Sequence, residues 1–163
     1  MDILFLLKFE QENVLKLLEA FKGRALGSGD DVAVAYKNFK DALNMYFSID
    51  EEFLYQEIGE LFPNACRSID YGIKLHREVG IILAKLDSAL GSSIESCDLA
   101  ELVESLCQAV NQHIEHQQEH IIPRMRERIP TQEREDLAEV FSEIKEDLER
   151  GSSVSRASDE LVI

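Results

Sequence analysis

The chain of 163 residues is long enough for one domain with its own hydrophobic core and short for two. It carries 32 acidic residues against 17 basic ones, a formal net charge of −15, so its surface should repel both phosphate backbones and anionic lipids. We therefore expect neither a nucleic-acid partner nor a membrane partner. Because no signal peptide or membrane span is evident in the sequence, we expect a cytoplasmic protein.

Apolar residues recur at spacings of three and four along the chain, which indicates an all-α fold. In chain order, the pattern predicts a first helix ending at a Gly-rich segment, a second at about 31–61, a third at about 65–90, a fourth at about 98–128 and a short fifth at 132–150. The final segment, 151–163, is Ser-rich without periodicity, which predicts a disordered tail. We therefore divide the chain into a helical domain, 1–150, and a tail, 151–163.

The second and fourth predicted helices resemble each other at an offset of 67 residues without a gap. Residues 46–63 then align with 113–130, so that Glu52 meets Glu119 and Pro63 meets Pro130. The first and third helices correspond at an offset of 65. The chain thus reads as two helical hairpins, each of which would leave an apolar stripe in water if alone. We expect them to close into an up-down antiparallel four-helix bundle, with the short C-terminal helix added.

Every helix of this predicted bundle has at least one polar residue on its apolar stripe. At about 100° per residue, six polar side chains point toward the core, namely Gln11, Tyr46, Asp50, His76, His113 and Gln117. Burial of such groups is costly unless they are paired or bound to metal. Two interpretations are open: a metal site with the two-histidine, one-carboxylate ligands of many iron proteins, or a polar core held by hydrogen bonds alone.

The pattern resembles the hemerythrin-like family of HHE cation-binding domains, over about residues 1–130. Members are up-down four-helix bundles of two repeats, each with one His on its first helix and a His-x-x-x-Glu motif on its second. In the second repeat, His76 matches the first-helix His. The segment from His113 to Pro123 follows the second-helix motif, with Gln117 in the position of Glu.

The first repeat keeps the helical spacing of the family but lacks its metal-binding residues. Gln11 stands where the first-helix His is expected, Tyr46 replaces the motif His, and Asp50 replaces the motif Glu. The family's complete site implies two carboxylate-bridged irons, used to bind dioxygen, to sense oxygen or iron, or to handle nitric oxide and damaged iron clusters. Here the resemblance implies an incomplete site.

The metal expected from the resemblance is a single iron, in a mononuclear or incomplete di-iron site. Its expected ligands are His76, His113 and Asp50, with further candidates in Gln117, Glu51 and Tyr46. The function so implied is a sensor or carrier of metal or of a small ligand such as dioxygen or nitric oxide, read by a protein partner.

Two other functions stay open on the sequence. One is a metal-free adaptor or regulatory protein. The other is a histidine phosphotransfer module, because the segment from His76 to Gly80 has His-x-x-x-Gly spacing, but that function requires an exposed His76. His116 and His120 are spaced to chelate metal, yet are predicted to be exposed surface residues. The sequence shows no recognised hydrolase motif, which disfavours a hydrolytic enzyme, while redox catalysis at a single iron stays open.

Overall fold

The computed structural model describes the backbone of residues 1–27, 30–91 and 96–160 and the side chains of 1–27, 30–91 and 98–151. Over these residues the chain is helical, with no strand. The helices, in order, are α1 Ile3–Leu26, α2 Val32–Ile49, α3 Tyr55–Leu61, α4 Cys66–Leu90, α5 Ser96–His116, α6 Ile122–Arg128 and α7 Thr131–Glu160. None of the helices in the described ranges is long and apolar enough to cross a membrane.

Two π-helical segments and a 3₁₀ turn join these helices. The π-helical segments are Asp50–Leu54, between α2 and α3, and Gln117–Ile121, between α5 and α6. The 3₁₀ turn, Pro63–Ala65, leads into α4. The predicted second helix is therefore one continuous rod with a π turn inside it, and so is the fourth. Sequence periodicity placed both rods correctly but did not predict their π turns.

The helices pair as two hairpins. In the first, α1 packs antiparallel to α2, since Phe21 contacts Tyr36 at one end and Gln11 contacts Tyr46 farther along. In the second, α4 packs against α5 in the same sense. Helix α5 also contacts α1, and α7 lies against α1 and α2. This arrangement brings the polar stripe residues of both hairpins together.

The core consists of two apolar clusters. One contains Val14, Leu18, Phe21, Phe39, Leu43, Val79, Leu86, Leu106 and Val110. The other contains Ile3, Leu7, Ile49, Leu54, Ile58, Ile121, Met125 and Phe141. The predicted stripe residues of the second rod, including Phe39, Leu43, Phe53, Leu54 and Ile58, are all buried.

The C-terminal helix is longer than predicted. Its backbone stays helical to Glu160, ten residues past the predicted end at Arg150. The segment 151–160, expected as part of the disordered tail, is thus helical backbone, and 161–163 lie outside the described residues. Periodicity failed here because Gly and Ser supply no apolar stripe.

Candidate metal centre

Each of the two π turns begins with a polar residue that faces the interior. In the first, the Tyr55 amide donates a hydrogen bond to the Asp50 carbonyl, five residues back. In the second, the Ile122 amide donates to the Gln117 carbonyl in the same way. Asp50 and Gln117 each begin a π turn, 67 residues apart. Such turns re-aim side chains and are frequent at functional sites.

Asp50, His76 and His113 converge in the interior. Asp50 Oδ2 lies 3.3 Å from His76 Nε2 and 3.4 Å from His113 Nε2. The two histidine nitrogens are 2.8 Å apart. The side chains of Asp50 and His113 have no exposed surface, and that of His76 is 4% exposed. All three residues were predicted as metal ligands, and their ligand atoms form a compact group.

The electrostatics of this group suit a bound cation. Burial alone would raise the pKa of Asp50, but hydrogen bonds from His113 and His76 outweigh it and hold the pKa below its ordinary value. Burial lowers the pKa of His113, against the opposing effect of Asp50. The cluster therefore favours a charged carboxylate beside a neutral His113, the protonation states in which these side chains bind metals.

Two buried polar atoms of the cluster lack hydrogen-bond partners anywhere in the parts of the chain that the structure describes. They are Asp50 Oδ1 and His113 Nδ1. An unsatisfied buried polar atom costs about 1–3 kcal/mol. The Asp50 carboxylate thus has one oxygen, Oδ2, near two imidazole nitrogens and a second, Oδ1, without a partner, and a metal ion could satisfy the unpartnered oxygen.

The spacing of the donors also fits one ion. Metal bonds of about 2.0–2.2 Å to nitrogen and oxygen place neighbouring donors around a single ion roughly 2.8–3.6 Å apart. The three separations among Asp50, His76 and His113 all fall in this range, from 2.8 to 3.4 Å. The residues present thus fit a mononuclear site.

Glu51 lies behind His76. Its Oε1 is 2.7 Å from His76 Nδ1, the ring nitrogen that faces away from Asp50. Phe47 stacks on the same imidazole with ring centroids 3.9 Å apart. Together these contacts fix the ring and leave Nε2 directed at the cluster. Glu51, predicted as a candidate ligand, instead contacts the far side of the His76 ring.

Gln11, Tyr46 and Gln117 form a hydrogen-bonded network next to the cluster. Gln11 Nε2 donates to Tyr46 Oη at 3.2 Å and to Gln117 Oε1 at 3.1 Å, and the Tyr46 hydroxyl also donates to Gln117 Oε1. Gln117 Nε2 donates to Asp50 Oδ2 at 2.9 Å. Gln117 and Tyr46, both predicted as candidate metal ligands, therefore hydrogen-bond to each other. Of the two, only Gln117 reaches the Asp50 carboxylate, through its amide nitrogen.

Tyr55 is a site residue that the sequence reasoning missed. Its Oη lies 3.3 Å from His113 Nε2, and Gln117 Nε2 donates to it at 3.4 Å. In an α-helix, a residue five positions after Asp50 is rotated by roughly 500°, which is about 140° from the starting face. The π turn takes an extra residue and returns Tyr55 to the side of Asp50. The sequence signal available here is the repeat that aligns residues 46–63 with 113–130, and a repeat of this kind does not reveal a π turn.

One prediction about the histidines needs correction. His116 is buried, 8% exposed, and its Nε2 lies 2.7 Å from the Ser68 carbonyl oxygen of α4, so it is not a surface residue. His120, which lies within the second π turn, is exposed as predicted.

His76 is buried, and both of its ring nitrogens contact side chains. It therefore lacks the exposure that histidine phosphotransfer requires.

Residues 2–125 match the family model described as the hemerythrin HHE cation-binding domain. The comparisons found no significant match to an individual curated protein or to a solved structure.

Proposed function

The chain belongs to the hemerythrin HHE cation-binding domain family, and from this premise we propose that it binds one iron ion through Asp50, His76 and His113. In this proposal the two hairpins form an up-down four-helix bundle, and the protein is a cytoplasmic sensor or carrier of metal or of a small ligand. A protein partner would read the state of the site.

The observation that carries the proposal is the buried Asp50 carboxylate, which has one oxygen near two imidazole nitrogens and the other without a partner. Two histidines and one carboxylate are the ligand types of mononuclear non-haem iron sites. Iron held in this way would offer open coordination positions to a small ligand such as dioxygen or nitric oxide.

A single ion is favoured because uncharged side chains occupy the positions that would hold the ligands of a second ion in the family's complete site. The positions that carry its remaining ligands hold Gln11, Tyr46 and Gln117, whose polar atoms are engaged with one another. None of these side chains is charged at neutral pH, and burial together with Asp50 raises the pKa of Tyr46 well above its ordinary value. A second cation there would have no anionic ligand of its own.

The remaining residues position the ligands. Glu51 orients the His76 ring through Nδ1, and the Gln117 amide holds Asp50 Oδ2. These contacts keep the three donors convergent before any ion binds. Pre-organisation of this kind raises affinity because less ordering is required on binding.

The test is the metal content of protein purified without chelator or affinity metal, measured by plasma mass spectrometry, followed by anaerobic titration with ferrous iron. We expect about one iron per chain. Replacing His76 and His113 by Ala should abolish this binding while helical content is retained, because the donors are lost but the helices remain. His116→Ala with His120→Ala is the matched control and should keep the metal. Unchanged iron in the first double variant would contradict the site.

The competing function is a metal-free adaptor, and one observation favours it: the cluster already contains close polar contacts among Asp50, His76 and His113. Reproducibly metal-free protein that takes up no ferrous iron would support the adaptor. The same experiment therefore separates the two functions.

A further inference from the structure

Tyr55 brings a phenol hydroxyl to the same side of the cluster as the donor atoms. Its Oη is 3.3 Å from His113 Nε2, and its ring lies alongside His76 with centroids 5.7 Å apart. The residue is buried, 4% exposed. A buried hydroxyl at this distance from His113 Nε2 is a candidate fourth donor beside the cluster.

We propose that Tyr55 is a further protein ligand of the metal centre when the bound ion is ferric iron. The inference rests on the proposed function, which itself needs only Asp50, His76 and His113. On binding, a metal–oxygen bond forms at Tyr55 Oη, the Oη–H bond breaks, and the proton passes to the buffer. No electron is transferred, because the ion enters as ferric iron.

The geometry places Tyr55 among the donors. Its 3.3 Å separation from His113 Nε2 lies within the range set by the other three donor pairs, 2.8 to 3.4 Å. The hydrogen bond that Gln117 donates to Tyr55 Oη leaves an oxygen lone pair free for the centre.

The other interior tyrosine is differently placed. The Tyr46 hydroxyl is occupied by Gln11 and Gln117, and only its ring edge approaches His113, with centroids 5.6 Å apart. Tyr46, the tyrosine that the sequence predicts as a candidate ligand, therefore belongs to the hydrogen-bonded network with Gln11 and Gln117.

Gly72 of α4 provides the space that the phenol occupies. A β-carbon built on Gly72 would lie 2.9 Å from Tyr55 Cζ and still closer to its hydroxyl. Even alanine at this position would force the ring to shift. Gly80, on the same helix, has no atom within 4 Å of a built β-carbon. The Tyr55 phenol thus occupies the space that a side chain at position 72 would fill.

Burial and the nearby Asp50 carboxylate raise the pKa of Tyr55, so its phenol stays neutral until the ion replaces its proton. Bound as a phenolate, Tyr55 would add a hard oxygen ligand to that of Asp50, and hard oxygen ligands suit ferric iron.

The experiment loads the purified full chain with ferric citrate and records the visible spectrum, the resonance Raman spectrum and the bound iron. The wild type should show a phenolate-to-iron charge-transfer band with phenolate vibrations. Tyr55→Phe should lose this band, retain helical content, and bind iron on the order of tenfold more weakly. Tyr71→Phe, at an exposed tyrosine, should leave the band unchanged.

Glycine variants provide a test without removing the phenol. Gly72→Ala should weaken or shift the charge-transfer band because the ring is displaced, whereas Gly80→Ala should leave it as in the wild type. An intact band in Tyr55→Phe would overturn the inference, and so would equal spectra for the two glycine variants.

Other outcomes separate the inference from the proposed function. Loss of the band in Tyr46→Phe instead would make Tyr46 the ligand and refute Tyr55. Wild-type protein that binds one iron through His76 and His113 with no phenolate band would refute Tyr55 and leave the proposed function intact. Wild-type protein that binds no iron would refute both.

Discussion

At the scale of single residues, the two histidines of the cluster differ in what lies behind them. His76 has Glu51 on its second nitrogen at 2.7 Å, whereas His113 Nδ1 has no partner among residues 1–27, 30–91 and 98–151. A carboxylate behind a ligand histidine fixes the ring and raises its basicity as a ligand. His76 should therefore be the better-organised of the two proposed ligands.

The corresponding prediction concerns Glu51→Gln. The amide keeps the size of the side chain but removes its charge, so the affinity for iron should fall by about 10- to 100-fold. Isothermal titration or a competition assay with a chromophoric chelator measures this. Glu52→Gln, at the neighbouring exposed position, serves as the control and should bind as the wild type does. Equal affinities for both variants would mean that Glu51 has no role in orienting His76.

Asp87 gives a prediction about pH far from the centre. Tyr36 donates a hydrogen bond to Asp87 Oδ1 at 2.6 Å, and Lys40 donates to Oδ2 at 2.7 Å. Burial would raise the pKa of Asp87, but the contacts with Lys40 and Tyr36 hold it below its ordinary value. A lowered folded-state pKa means that the stabilisation is complete above the ordinary carboxyl pKa and is lost as pH falls through the folded-state value.

Asp87→Asn should accordingly lower the free energy of unfolding at neutral pH by about 0.5–1 kcal/mol, a small value because the carboxylate is 45% exposed. The difference from the wild type should shrink as pH falls below about 4. Urea unfolding at several pH values measures it. Glu78→Gln removes the exposed pair with Lys74 and should have a smaller effect. A difference for Asp87→Asn that stayed constant into the acid range would contradict the role of its charge.

At the scale of helices, α7 is held to the rest of the chain by apolar side chains, of which Phe141 is the largest, and by two ion pairs. Phe141 is 1% exposed and belongs to the core cluster of Ile3 and Leu7. Lys145 pairs with the buried Glu10 of α1, and Arg134 pairs with Asp2 at 2.8 Å. The helix predicted as a short addition is thus part of the core.

Phe141→Ala should therefore destabilise the fold by about 3–5 kcal/mol, the usual cost of removing a fully buried phenylalanine. Thermal or urea unfolding followed by circular dichroism measures this. Phe5→Ala is a matched control, since Phe5 of α1 is 59% exposed, and it should change stability by less than about 0.5 kcal/mol. Similar stabilities for both variants would mean that α7 does not contribute to the core.

The π turns mark the limit of what the sequence predicts. Periodicity identifies the helical rods, their buried stripes and the convergence of Asp50, His76 and His113, because all of these depend on local spacing. The extra residue in each π turn depends on packing between helices and leaves no mark in the hydrophobic pattern. Tyr55 was missed for that reason, and the burial of His116 was missed because it depends on its contact with Ser68 of α4.

At the scale of the whole molecule, metal binding should be coupled to folding. An ion that binds only the folded state stabilises it by about 2.7 kcal/mol when its free concentration is 100 times the Kd. For a chain of this size each kcal/mol raises Tm by about 2–4 °C. Iron should thus raise Tm by several degrees, measured by scanning calorimetry under anaerobic conditions, and His76→Ala with His113→Ala should remove the shift. An equal shift in that variant would indicate binding elsewhere.

The polar residues form a layer next to the two apolar clusters, and this layer has a consequence for how the helices align. Apolar surfaces tolerate sliding, because one leucine can replace another after a shift of one turn, about 5.4 Å. Asp50, His76, His113 and Gln117 cannot be exchanged in this way, since a shifted helix would leave a buried charge facing hydrocarbon. The layer therefore allows only one alignment, along their long axes, of the helices that contribute its residues.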